Sequence, residues 1–191
     1  MGHRRGVAGA DAHEAVRDND KAREKMTRKA SMRMTTLLAG GAALALMAQG
    51  AAAEVTKVHE KGLKPYEIVD GVSIPKPLTD KSGDPKRGAK LMVARKKGNC
   101  LACHKVVQLN DYPFHGNVGP ELSDVASNMQ EGEMRLRLVN PKVLNPDTIM
   151  PAFYHTEGLH RVKKKFKGKP VLTEQEIEDI IAFLKTLKSS Q

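Results

Sequence analysis

The residues best placed to do chemistry are the chain's two cysteines, which stand in Cys100-Leu101-Ala102-Cys103-His104. Two thiols with two residues between them, followed at once by an imidazole, have the spacing for covalent haem attachment. The thiols add to the two vinyl groups, and the histidine offers a nitrogen to the iron. Thioether bonds hold the cofactor permanently, which lets a small core retain a large group. Two other chemistries use paired cysteines. A thiol redox pair belongs at the start of a helix within alternating strands and helices, a pattern this sequence lacks. A zinc site needs further ligands at suitable spacing, and downstream of residue 53 only His59, His115, His155 and His160 remain, with no second Cys pair. The expectation is one covalently bound haem c, attached at Cys100 and Cys103, with His104 as an iron ligand.

Iron held by His104 on one side needs a ligand or an open position on the other, and that choice separates electron transfer from small-molecule chemistry. Downstream of residue 53 the methionines are Met92, Met129, Met134 and Met150. Met92 and Met134 fall at buried positions of helical patterns, where methionine usually fills gaps. Met150 is different. It stands in Asn145-Pro146-Asp147-Thr148-Ile149-Met150-Pro151, which has no helical period and a proline fixing the backbone behind it. Met150 is the expected second iron ligand, with Met129, His115, His155 and His160 as alternatives. A thioether there favours reduced iron and raises the potential. Gly119-Pro120 lies at loop distance from the motif, where a carbonyl can accept the Nδ1–H of His104.

The elements that must position these groups read as all-α. Asp84 can cap a helix with Pro85 at its first position, running to Arg95 and stopped by Gly98, with Gly88, Leu91 and Met92 on one face. Glu133 to Val139 is a second helical stretch, with Met134, Leu138 and Val139 inward, ending near Asn140-Pro141. At the C-terminal end, Thr173 and Glu176 form a capping box and Leu172 and Ile177 a hydrophobic staple. Ile177, Ile180, Ile181, Leu184 and Leu187 then recur at helical steps. The earlier segment 54–83 is polar and reads as an arm, with a hairpin signal at Asp70-Gly71 between Tyr66-Glu67-Ile68-Val69 and Val72-Ser73-Ile74. A two-stranded hairpin is marginal alone, so this arm should pack on its own domain or on another chain.

Residues 1–53 read as a leader. Arg28, Lys29 and Arg33 precede an apolar run, Thr35 to Ala48, and Ala51-Ala52-Ala53 fits a small-residue cleavage rule. The run is too short to span a bilayer comfortably, so no membrane span is expected in the mature chain. Export follows, and the remainder suffices for one domain, 84–191, behind the arm. The whole chain carries a formal charge of +10, which favours acidic partners. Export and an aromatic content of 4% both argue against nucleic acid. The basic run Arg161 to Lys167 reads as a solvated loop or a docking site for an acidic partner.

With the haem motif, Gly119-Pro120, Met150-Pro151 and the amphipathic terminal helices, the sequence resembles the class I cytochromes c. Within them, Asn145 to Tyr154, Gly158-Leu159 and Phe166 to Leu172 are similar to the SoxX family, the monohaem subunits of SoxAX complexes, over about residues 84 to 188. The resemblance implies a class I cytochrome c fold enclosing one haem, with His104 and Met150 as the axial pair. It implies a heterodimer with a SoxA cytochrome, as a subunit of an L-cysteine S-thiosulfotransferase that couples thiosulfate to a cysteine of the SoxYZ carrier. Sulfur chemistry would occur on the partner chain, with this chain accepting electrons and passing them to a downstream cytochrome. The alternative is a free-standing periplasmic cytochrome that diffuses between partners.

Overall fold

A computed structural model describes residues 52–189. The expected leader lies almost wholly outside the described residues. Among the described residues no helix is long and apolar enough to cross a membrane.

Among the described residues, four helices and one short sheet build the fold: β1 (Val55–Val58), β2 (Tyr66–Val69), α1 (Pro85–Val93), α2 (Val125–Asn128), α3 (Glu131–Val139) and α4 (Glu174–Leu184). This is the all-α architecture expected of a class I cytochrome c, with a hairpin added. Asp84 caps α1 by accepting from Lys86 N–H at 2.8 Å and Arg87 N–H at 3.2 Å, and Pro85 occupies the first turn, where its missing N–H costs nothing. The Thr173–Glu176 capping box starts α4. Ile177, Ile180, Ile181, Leu184 and Leu187 are all buried. The middle helix begins two residues earlier than the sequence suggests, because the Glu133 carboxylate accepts from the Gln130 N–H and stabilises the extra turn.

Helices α1 and α4 cross at a glycine. A Cβ on Gly88 would lie 2.0 Å from the Asp179 carbonyl oxygen, so the two backbones meet where only hydrogen fits. Beside the crossing, the buried Asp179 carboxylate accepts from Asp84 N–H at 2.8 Å, from the Arg87 guanidinium at 2.7 and 2.8 Å, and from Gln175 at 3.0 Å. Next to it, Glu178 forms a two-pronged pair with Arg135 of α3 at 2.8 and 2.9 Å. Arg135 is fully buried, and it also reaches Glu131 and the Ile74 carbonyl, each at 2.7 Å. Every polar edge of this pair is hydrogen-bonded, as burial of charge requires.

The hairpin differs from expectation. Asp70 and Gly71 have φ of +52° and +69°, the conformation of a two-residue turn. Beyond it, however, only Val69 and Ser73 pair, and Ile74 N–H instead donates to the Gly132 carbonyl at 3.0 Å. Ile74 is fully buried, and burying it against α3 outweighs continuing a ladder along an exposed edge. The ladder partner of Tyr66–Val69 is β1, in antiparallel register from Val55↔Val69 to Val58↔Tyr66. Tyr66, Ile68, Ile74 and Leu78 all join the core, so segment 54–83 packs on its own domain.

Candidate haem site

The haem motif forms a short 3-10 turn, Cys100–Ala102, entered through Asn99 at φ +50°. Side chains three residues apart in such a turn fall on one side, and Cys100 and Cys103 both line one cavity of about 730 Å³. No disulfide joins the two cysteines. Burial pushes the Cys100 thiol up to about 12, which leaves it protonated at neutral pH and unsuited to thiolate redox exchange.

His104 also lines the cavity, as does Met150. The Nδ1 of His104 is 2.7 Å from the Pro120 carbonyl oxygen. A carbonyl can only accept, so the proton sits on Nδ1 and Nε2 keeps its lone pair for a ligand. The loop that brings Pro120 there is laced to the motif by Gly116 N–H to Leu101 O at 2.8 Å and Gly119 N–H to Cys103 O at 2.9 Å. Gly119 lies flush against the imidazole: a Cβ there would stand 2.3 Å from Cε1 and 2.7 Å from Nδ1. Gly119→Ala should therefore force the ring or the loop aside, breaking the bond to Pro120 and lowering stability by about 2–3 kcal/mol, as overpacking does. Urea unfolding of the haem-loaded protein checks this, and an unchanged midpoint would refute it.

The other candidate ligands are placed differently. Met92 and Met134 are buried, and they and Met129 line the cavity among its apolar walls, with Val125, Leu138, Phe153 and Ile180. His115 is spent on the backbone: Val106 N–H donates to its Nδ1 at 3.1 Å, so its Nε2–H donates to Leu109 O, 3.2 Å away. His155 donates from Nδ1 to Glu60 at 2.6 Å, and neither it nor the exposed His160 lines the cavity. The Arg161–Lys167 run is mostly exposed, with Lys165 lying 4.5 Å over the Phe166 ring.

This donor set fits a covalently attached haem. The volume suits a cofactor, whose sites span roughly 300–1,000 Å³. Two thiols and an oriented imidazole share one wall strip, a thioether sits on the same cavity, the remaining lining is largely apolar, and Arg95 and Arg137 bring positive charge for acidic side groups, while Lys97 is paired with Glu176 at 2.7 Å.

The family model described as Cytochrome c matches residues 85–188. Among curated proteins none matches. Among solved structures, the chain is similar to one in "Crystal structure of SoxXA from P. pantotrophus", with 36% sequence identity and a TM-score of 0.59, covering 62% of this chain and 92% of that one.

Proposed function

The chain belongs to the cytochrome c family, as a SoxX-like member with covalently bound haem c and a role in electron transfer, and from that premise we propose that it is the electron-accepting subunit of a SoxAX complex. In this reading it pairs with a SoxA cytochrome in the periplasm. The complex couples thiosulfate oxidatively to a cysteine of a SoxYZ carrier, and electrons leave to a downstream cytochrome. The observation that carries the proposal is the 36% identity to a chain of a SoxXA structure, which leaves only a small part of that chain unmatched.

Each site residue then has a distinct role. Cys100 and Cys103 would form the thioethers. His104 would ligate iron through Nε2, its orientation and basicity set by the Pro120 carbonyl. Met150 would supply its thioether as a second ligand. When bound, the haem provides a one-electron couple. The protein's contribution is to exclude water with the apolar walls, to hold the ligands still, and to bias the couple toward the reduced state through the thioether. No catalytic side chain is assigned to this chain, since the bond to sulfur would form on the partner.

Affinity purification of the tagged mature chain from its native periplasm tests the proposal. A second haem-stained chain in equal amount is expected, and adding thiosulfate with the carrier protein should then reduce the haem of this chain. A single haem-stained band under gentle conditions, with no reduction by thiosulfate, would point instead to a diffusible carrier.

A further inference from the structure

Segment 54–83 lies upstream of the residues that match the cytochrome c family, yet it is fastened to the loop that carries Met150. The fastening centres on Glu60, whose side chain is only 4% exposed. His155 Nδ1 donates to its Oε1 at 2.6 Å. Thr156 donates to its Oε2 twice, from the backbone N–H at 2.7 Å and from the hydroxyl at 3.1 Å. A carboxylate withdrawn from water is costly unless hydrogen-bonded, and here both oxygens are occupied. Burial pushes the Glu60 carboxyl up, but the Thr156 amide and His155 outweigh it and hold the group below its ordinary range, so it is ionised at neutral pH.

A second tie runs parallel to the first. Lys64 N–H donates to the Tyr154 hydroxyl at 2.9 Å, and that hydroxyl donates to Glu174 in the first turn of α4. On the inner side, Phe153 N–H and Tyr154 N–H donate to the carbonyls of Leu138 and Val139 at 3.0 and 3.3 Å. Residues 153–156 are thus clamped between the end of α3 and the N-terminal segment. Met150 packs half-buried against the core, and on its N-terminal side the Thr148 carbonyl accepts from Lys142 at 3.0 Å. The Met150 N–H reaches the Thr148 hydroxyl at 3.2 Å, and its neighbour Ile149 is 79% exposed. Anchorage of Met150 on its C-terminal side therefore passes through residues 153–156.

Resting on the reading of Met150 as the second iron ligand, we infer that Glu60 is a positioning residue for that ligand: its hold on His155 and Thr156 keeps the Met150 thioether seated against competitors for the iron.

The test titrates the ferric, haem-loaded protein with free imidazole, following the long-wavelength absorption band of methionine-ligated ferric haem. Glu60→Ala should bind imidazole about tenfold more tightly, equivalent to about 1.4 kcal/mol. Glu60→Gln should lie between, because its amide oxygen can still accept from the Thr156 N–H. If Glu60→Ala does not load haem, Glu60→Gln and the milder Thr156→Val, which removes only the hydroxyl, decide the matter. Asp179→Asn weakens the α1–α4 crossing and should lower stability while changing imidazole affinity less than Glu60→Ala does. Wild-type affinity in the Glu60 and Thr156 variants would overturn the inference, as would an equal shift in Asp179→Asn, which would mark a general loss of stability. Met150→Ala separates the two layers: if the band survives in that protein, the ligand reading has failed and the inference falls with it.

Discussion

The Met150→Ala protein is expected to keep its haem and to lose reduction potential on the order of 0.2 V, a fraction of the roughly 0.8 V that axial ligands can span. The haem stays because its covalent attachment would depend on Cys100 and Cys103. The potential falls because a thioether stabilises ferrous iron, whereas the water or hydroxide that replaces it does not. Potentiometric titration of the two proteins measures the difference. The outcome also ranks the methionines. Met92, Met129 and Met134 share the same cavity, so geometry alone leaves three other thioethers near the cofactor. Met92 and Met134 are almost fully buried on helices, whereas Met150 sits on a loop with Pro151 behind it. An unchanged potential in Met150→Ala, with a drop in Met129→Ala, would move the ligand to Met129.

The second large effect is on stability. Gly88→Ala would normally strengthen a helix, by about 0.5–1 kcal/mol. Here the sign should reverse. The new Cβ would stand 2.0 Å from the Asp179 oxygen, 2.6 Å from its carbonyl carbon and 3.0 Å from the Ile180 Cα, and all three are backbone atoms that cannot rotate away. The helices would have to part, loosening the Asp179 hydrogen bonds to Asp84 and Arg87 together. A loss of about 3 kcal/mol or more is expected. With a urea slope of about 1–3 kcal/mol/M, the unfolding midpoint of the haem-loaded protein should fall by about 1 M or more. A midpoint at or above that of the unaltered protein would mean that the two helices do not meet at Gly88.

What could be read in advance was what is encoded locally. Asp84-Pro85, Thr173 with Glu176, and the spacing of Ile177, Ile180, Ile181 and Leu184 each specify structure within a few residues, and each helix starts as expected, the first ending at Val93 rather than Arg95. The Gly119-Pro120 pair was also legible, because a ligating histidine needs an acceptor for its other nitrogen. What escaped depends on partners far along the chain. Val55–Val58 is exposed almost throughout, so it carries no buried pattern, and only its pairing with Tyr66–Val69 makes it a strand. The carboxylate partner of the buried Arg135 lies 43 positions away, where no local pattern announces it. Glu60 is similarly silent, since its partners lie 95 and 96 positions downstream. Ser73 and Ile74 fit a strand by type, but burial against α3 took precedence over the hairpin.

The meeting of α1 and α4 also governs the order of events as the chain folds. Arg87 and Asp179 are 92 positions apart, and closing so long a loop costs chain entropy before any contact returns it. The first helix therefore has no mate until the last one arrives. Because Ile180 and Leu184 of α4 line the same cavity as Cys100 and Cys103, the wall they supply is the last part of that cavity to be synthesised.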